Sequence, residues 1–199
     1  MLKLYYGHIG LIAKQQVFNQ WFEKMDQQRK DKVLACKNIE DQQRSLLAGI
    51  LLHFGLENDR DAAKQIYYSI SHSGDYVICA LADRCIGVDI ENKYRSVFSG
   101  NKTAQLEKIS KKCLTIGEEV RFYSCDEDEK ADLMLHFWTR KESYSKAIGK
   151  GLAMDFSKID TESMNDLYWS GWLEEGYFCS LYVENGKFHD MKIQEIVTL

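Results

Sequence analysis

Three carboxylates and one lysine have a spacing that could hold a metal ion beside a phosphate group. Residues Gly87–Glu91 form a predicted strand in which Asp89 and Glu91 are two positions apart, so both project to one face. Glu142 and Lys146 are four residues apart in a predicted helix and therefore share one of its faces. A divalent ion would relieve the repulsion between gathered carboxylates, and Mg²⁺ prefers oxygen ligands together with substrate phosphates. The pattern therefore predicts a magnesium-assisted phosphate site.

Each of these features also has an interpretation that involves no chemistry. Asp89 and Glu91 would be the solvated face of a strand, and Glu142 with Lys146 an ordinary ion pair on a helix surface. Trp138, four residues before Glu142, would simply belong to the core. Taken one at a time these are the commoner explanations, so only the combination of features indicates a phosphate site.

A turn-like segment and several cations are also suited to phosphate. The segment Ser71–Gly74 follows a predicted strand and offers hydroxyls, an imidazole and turn amides to phosphate oxygens. The alternative is that His72 only forms the turn or packs against neighbours. Arg29, Lys32 and Arg44 lie on polar faces around a predicted amphipathic helix, where they either bind an anion or are merely solvated.

The elements that must position these residues predict an α+β protein. Hydrophobic periodicity indicates helices at 18–25, 39–54 and 133–148, and β-rich runs at 2–12, 66–71, 76–82, 85–90, 168–173, 177–183 and 191–197. The runs from 66 to 90 are predicted to form an antiparallel meander. Glu175-Gly176 and Asn185-Gly186 are predicted to be hairpin turns.

A loop at Ser99–Asn101 is the expected boundary between an amino-terminal half, residues 1–98, and a carboxy-terminal half, residues 99–199. The surrounding stretch from Lys93 to Lys112 is basic, with six cations against Glu107 alone. Such a stretch is either a solvated face or a surface that binds an acidic partner.

Composition limits the class of protein. The chain has 199 residues with 45% hydrophobic and 28% charged residues, which is typical of a soluble globular protein. Its formal net charge of -4 predicts no general attraction for nucleic acid or membranes. Six cysteines without a C-x-x-C pair favour reduced thiols in the cytoplasm, and neither a signal peptide nor a membrane span is expected.

Three motifs, in this order, resemble the 4'-phosphopantetheinyl transferases of the surfactin-synthetase-activating type. They are the turn at Ile70–Gly74, the metal strand at Ile86–Glu91 and the W-x-x-K-E-(S/A)-x-x-K helix at Phe137–Lys146. The resemblance runs from about Arg29 to Asp155. It implies an α+β fold of two similar halves with pseudo-twofold symmetry, in a protein expected to be a monomer.

The resemblance also implies an activity: magnesium-dependent transfer of the 4'-phosphopantetheine group from coenzyme A to a serine of an apo acyl or peptidyl carrier protein. Such carriers serve fatty acid, polyketide or nonribosomal peptide biosynthesis, including secondary metabolism. In this setting the basic stretch from Lys93 to Lys112 would bind the carrier. The alternative is a catalytically silent module of the same fold that binds coenzyme A or a carrier protein. A different magnesium-dependent phosphotransferase is a further possibility, although the sequence has no P-loop or kinase-type glycine loop.

Roles follow by resemblance for ten residues. Asp89, Glu91 and Glu142 would be the metal ligands, and Lys146 would hold the pyrophosphate. Glu142 would also be the general base, unless a water molecule takes that role. The remaining residues would bind coenzyme A, its phosphates by Ser71 and His72 and its 3'-phosphate and adenine region by Arg29, Lys32, Arg44 and Ser45. The chain departs from the family at 57–65, which lacks the usual Gly-Lys-Pro loop.

Overall fold

The computed structural model describes residues 1–57, 65–94 and 103–199, which form two compact units. The first unit comprises Met1–Arg84 and His189–Leu199, and the second comprises Cys85–Phe188. The expected boundary between residues 98 and 99 lies outside the described residues and stays a prediction. Within the described ranges, no helix combines the length and the apolar character needed to span a membrane.

Both units contain helices and strands, which confirms the predicted α+β class, while the pseudo-twofold relation stays a prediction. The α-helices are α1 (Gln15–Lys24), α2 (Gln27–Leu34), α3 (Ile39–Glu57), α4 (Thr103–Cys113), α5 (Ile116–Ser124) and α6 (Lys130–Ala147). The strands are β1 (Leu2–His8), β2 (Tyr67–Ser73), β3 (Tyr76–Ala82), β4 (Ile86–Asn92), β5 (Tyr168–Glu174), β6 (Tyr177–Val183) and β7 (Met191–Glu195).

The first unit packs α3 against a four-stranded sheet of order β2-β3-β1-β7. The apolar side of α3, centred on Leu46, Leu47 and Ile50, is completely buried in this core. Strand β3 has antiparallel partners on both sides, β2 and β1. Because neither edge of β3 remains available, the predicted meander is wrong after its first two strands, and β4 joins another sheet.

The second unit packs α6 against an antiparallel sheet of order β4-β6-β5. A Cβ atom added at Gly87 would lie 1.8 Å from the carbonyl oxygen of Ser143. The helix backbone therefore rests directly on β4, and only glycine permits this approach. The close contact brings the carboxylates of β4 next to the polar side of α6.

The last strand was expected in the carboxy-terminal half, but β7 pairs in parallel with β1 of the first unit. Asn185 and Gly186 do turn the chain, with positive φ angles of 72° and 56°, yet they join no hairpin. The physical reason is that β6 already has partners on both edges, β4 and β5. The hairpin predicted at Glu175-Gly176 is confirmed, since it joins β5 to β6.

Candidate functional site

The carboxylate of Asp89 lies buried between β4 and α6. Its Oδ1 atom accepts a hydrogen bond of 2.7 Å from Nζ of Lys146, which lies in the last turn of α6. Val88 and Ile90 point to the opposite face and are buried in the core. Asp89 is therefore not on a solvated strand face, and that expectation is wrong for this residue, whereas its role as a metal ligand stays a prediction.

Glu142 lies one helical turn before Lys146 and is only 9% exposed. Burial raises the pKa of Glu142 to about 7, and the negative charges of Asp89 and Glu91 add to the shift, while Lys146 opposes it. Asp89, Glu91 and Lys146 therefore each act electrostatically on Glu142. Glu142 is buried and the side chain of Lys146 is 28% exposed, so the two belong to a partly buried group and not to an ordinary surface pair.

The raised pKa of Glu142 predicts a pH-dependent stability. In the folded protein the carboxyl group keeps its proton up to pH of about 7, whereas the unfolded chain loses it near 4.5. Its contribution to the free energy of unfolding is therefore fully present below pH 4.5 and is lost as the pH rises towards 7. We expect Glu142→Gln to flatten the pH dependence in this window, measured by urea unfolding with a chelator present. Glu184→Gln, at an exposed position, is the matched control. An unchanged slope in Glu142→Gln would contradict the shift.

The cluster fits a hard divalent cation by the chemistry of its donors. In the part of the chain that the structure describes, no three His, Cys, Asp or Glu side chains are arranged as a metal site. An oxygen of Asp89 is instead bound by Lys146. The donors are nevertheless three carboxylates, and the charges of Asp89 and Glu91 act on Glu142. Mg²⁺ prefers carboxylate oxygens. A divalent ion would offset the repulsion that contributes to the raised pKa of Glu142.

A buried ion pair next to this cluster was not predicted from the sequence. Nζ of Lys141 lies 2.6 Å from Oε2 of Glu118, and both side chains are inaccessible to solvent. Lys141 also donates to the carbonyl oxygen of Phe156, and Glu118 accepts hydrogen bonds from the backbone and hydroxyl of Thr161. The pair therefore fixes α5 to α6 at the residue that precedes Glu142. The Thr115-x-x-Glu118 capping box could have predicted the start of α5, but no sequence signal marks its pairing with α6.

In the first unit, α3 contacts the turn that follows β2. Nη1 of Arg44 donates a hydrogen bond of 2.9 Å to the carbonyl oxygen of Gly74, and its Nη2 binds Asp41 at 2.6 Å. Ser71 is buried in β2 whereas His72 is exposed near the strand end. The charge of His72 contributes to a lowered pKa of Asp41, after hydrogen bonds from Arg44 and Asn38. The structure thus brings Arg44 and the predicted phosphate-binding turn together.

A cavity of about 310 Å³ in the same unit lies beside α2 and α3. Arg29 lines it and donates from Nη1 to the carbonyl oxygen of Ser45 at 3.3 Å. A Cβ atom on Gly49 would lie only 3.0 Å from Arg29, so the glycine allows the two helices to approach. The cavity wall also includes the expected Lys32 and three residues that sequence reasoning missed, Lys24, His53 and Tyr68.

The predicted residues therefore fall into two groups, one in each unit. Asp89, Glu91, Glu142 and Lys146 belong to the second unit, and Arg29, Lys32, Arg44, Ser45, Ser71 and His72 belong to the first. The individual roles of these residues stay predictions.

Comparison with known proteins identifies the class to which this fold and these residues belong. Residues 85–193 match the family model of the 4'-phosphopantetheinyl transferase superfamily, and the chain belongs to this family. The resemblance deduced from the three motifs is thereby confirmed.

Three 4'-phosphopantetheinyl transferases are similar in sequence to this chain, two over most of it and one over about half. The 4'-phosphopantetheinyl transferase Sfp of Bacillus subtilis is 25% identical over 83% of this chain and 78% of its own length. The 4'-phosphopantetheinyl transferase gsp of Aneurinibacillus migulanus is 23% identical over 100% of this chain and 95% of its own length. HetI of a Nostoc species, also a 4'-phosphopantetheinyl transferase, is 31% identical over 48% of this chain and 38% of its own length.

Proposed function

We propose that this protein transfers the 4'-phosphopantetheine group of coenzyme A to a serine of an apo acyl or peptidyl carrier protein, in a magnesium-dependent reaction. The observation that carries the proposal is the partly buried cluster in which Asp89 binds Lys146 beside a Glu142 of raised pKa. The relatives Sfp, gsp and HetI, each named as a 4'-phosphopantetheinyl transferase, support the reaction type.

Asp89, Glu91 and Glu142 would hold the magnesium ion. When bound, the ion would reduce the energetic cost of the charge that develops on phosphate oxygens during transfer. Calorimetric titration with Mg²⁺ tests this assignment without an activity measurement. We expect binding to the wild-type protein and much weaker binding to Asp89→Asn, which removes one ligand charge at nearly constant size.

The chain's own residues would move one proton and stabilise the transferred group. The serine oxygen forms a bond to the β-phosphorus of coenzyme A as the bond to the bridging oxygen breaks, and adenosine 3',5'-bisphosphate leaves. Glu142 would accept the serine proton, since a carboxylate placed beside the reacting hydroxyl can act as a general base. The ammonium group of Lys146 would stabilise the charge developing on the pyrophosphate oxygens.

Residues of the first unit would bind the nucleotide end of coenzyme A. Arg29 and Lys32 line one cavity and offer two cations to the 3'-phosphate, with Ser45 in contact with Arg29. Arg44 lies against the turn after Ser71 and His72, where hydroxyl, imidazole and guanidinium groups can bind phosphate oxygens. Of the segment 57–65, which departs from the family's usual loop, residues 58–64 lie outside the described residues.

Replacement of Lys146 tests whether its charge stabilises the developing charge on the pyrophosphate. We expect Lys146→Ala to lower kcat about 10- to 100-fold and to change the KM for coenzyme A less, because the contact strengthens as charge develops. Lys146→Arg should restore part of the loss, and Lys150→Ala, at an exposed position after the end of α6, is the control. A raised KM with unchanged kcat would make Lys146 a binding residue only.

Release of adenosine 3',5'-bisphosphate distinguishes the proposal from the silent binding module. The folded protein is mixed with coenzyme A, Mg²⁺ and an apo peptidyl carrier domain, and the released nucleotide is separated by chromatography. Release that depends on the carrier supports transfer. Calorimetric binding of coenzyme A without any release would instead support the silent module.

A further inference from the structure

A row of three polar residues crosses the sheet of the second unit beneath α6. Asp89 of β4 lies opposite Ser180 of β6, and Ser180 lies opposite Ser170 of β5. Residues that face each other across antiparallel strands project to the same side of the sheet, with Cβ atoms about 5 Å apart. This is the side on which α6 packs, because the hydroxyl groups of Ser180 and Thr139 lie 2.7 Å apart. The proposed metal ligand Asp89 is therefore one end of a polar row.

Hydrogen bonds join the two serines of this row to α6 in one chain. Nε of Arg140 donates to the hydroxyl of Ser170 at 3.1 Å, and the hydroxyl groups of Ser170 and Ser180 lie 2.9 Å apart. Thr139, which contacts Ser180, donates from its hydroxyl to the carbonyl oxygen of Leu135 at 2.8 Å. Ser180 and Thr139 are inaccessible to solvent, and Arg140 is only 6% exposed. Water therefore does not compete for the bonds in the middle of the chain.

The two ends of this hydroxyl chain fix its direction. An arginine nitrogen can only donate and a carbonyl oxygen can only accept, whereas each hydroxyl group has a single hydrogen. Thr139 gives its hydrogen to Leu135, so the contact between Thr139 and Ser180 must use the hydrogen of Ser180. The contact between Ser180 and Ser170 must then use the hydrogen of Ser170. Only this assignment supplies a hydrogen to every contact, and it directs the hydrogen of Ser180 to α6 and not to Asp89.

We propose that Thr139 is a positioning residue for Asp89, because it accepts the hydrogen bond that Ser180 would otherwise donate to the carboxylate. The inference rests on the proposed function, in which Asp89 is a ligand of the magnesium ion. Asp89 already accepts a hydrogen bond from Lys146. A further bond from a buried hydroxyl would occupy a lone pair of the carboxylate and stabilise its charge without the ion, so a divalent cation would bind less tightly. Thr139 thus keeps the carboxylate available to the ion.

Thr139→Val tests the proposal, because valine has nearly the shape of threonine but cannot accept the hydrogen bond of Ser180. We expect calorimetric titration with Mg²⁺ alone to give a Kd about 10-fold higher than that of the wild type, since the outer partners of a metal ligand change affinity on this scale. Carrier modification at limiting Mg²⁺ should slow by a similar factor. Thr139→Ser keeps the hydroxyl and should bind Mg²⁺ like the wild type. If valine prevents folding, Thr139→Ala removes the same hydroxyl with a smaller side chain.

The double variant Thr139→Val/Ser180→Ala separates positioning from a loss of structure. It also removes the hydroxyl that Thr139→Val releases, so the Kd for Mg²⁺ should return towards the wild-type value although a further buried hydrogen bond is lost. Ser170→Ala is the matched control, since it shortens the same chain but leaves the bond between Ser180 and Thr139 in place. It should keep the wild-type Kd. Urea unfolding of every variant measures how much the lost bonds contribute to stability.

The outcomes distinguish the positioning role from the proposed function. A wild-type protein that binds Mg²⁺ and modifies the carrier, with Thr139→Val showing an unchanged Kd, would overturn the positioning role and leave the proposed function standing. A Kd that rises further in the double variant, in parallel with a loss of stability, would also overturn it and assign the hydroxyl chain a structural role. Absence of both Mg²⁺ binding and carrier modification in the folded wild-type protein would contradict the proposed function, and the positioning role with it.

Discussion

Glu142→Gln is expected to reduce phosphopantetheine transfer by a factor of at least about 10² while the protein stays folded. The substitution keeps the size of the side chain but removes the charge of a proposed metal ligand, which is also the proposed proton acceptor. Asp89→Asn should have a comparable effect, because it weakens both the proposed metal site and the contact with Lys146. Since burial disfavours the charged form of Glu142, its replacement should leave the free energy of unfolding at pH 8 unchanged or higher.

The measurement combines initial rates of carrier modification with urea unfolding of the same preparations. Glu184→Gln makes the same chemical change at an exposed position and should keep wild-type activity. Wild-type rates in both Glu142→Gln and Asp89→Asn would rule out the proposed site. A loss of activity that parallels a loss of stability would assign these carboxylates a structural role instead.

Lys141→Met is expected to lower the free energy of unfolding by about 3–5 kcal/mol, because it leaves the charge of Glu118 buried without its ion-pair partner. The effect should be far larger than that of Lys158→Met. Lys158 is 81% exposed and pairs with Asp155 at the surface, where such contacts contribute about 0–1 kcal/mol.

Removal of both buried charges tests whether Lys141→Met loses stability because a charge is left unpaired or because packing is lost. The double variant Glu118→Leu/Lys141→Met should recover part of the stability lost in Lys141→Met, since no charge then remains buried. Urea unfolding of the wild type, the single variants Glu118→Leu and Lys141→Met, and the double variant gives the coupling energy of the pair. Equal destabilisation by Lys141→Met and Lys158→Met would show that the buried pair does not hold α5 to α6.

Local patterns were sufficient to predict much of the candidate site. The alternation of residues in β4 predicted that Asp89 and Glu91 share a face, and the four-residue spacing in α6 predicted that Glu142 lies beside Lys146. That the β4 residues lie close to the α6 residues was suggested only by the family resemblance, because no local pattern relates β4 to α6. The structural reason for this proximity is Gly87, whose missing side chain lets the Ser143 backbone rest on the strand.

The features that the sequence did not predict depend on contacts between distant segments. Lys141 is one residue from Glu142 in a polar helix segment, and only the position of α5 decides that it is buried with Glu118. Likewise, β4 follows the β2–β3 hairpin along the chain, but β3 already has two partners. Strand pairing of this kind depends on which sheet edges are available, and local periodicity does not report this.

The most direct test of the central claim is the mass of an apo carrier protein after incubation with this protein, coenzyme A and Mg²⁺. The account predicts that the carrier gains the mass of one phosphopantetheine group on its serine, and that the gain disappears when the serine is replaced by alanine or a chelator is added. An unchanged carrier mass for both acyl and peptidyl carriers, with the protein folded and coenzyme A bound, would contradict it.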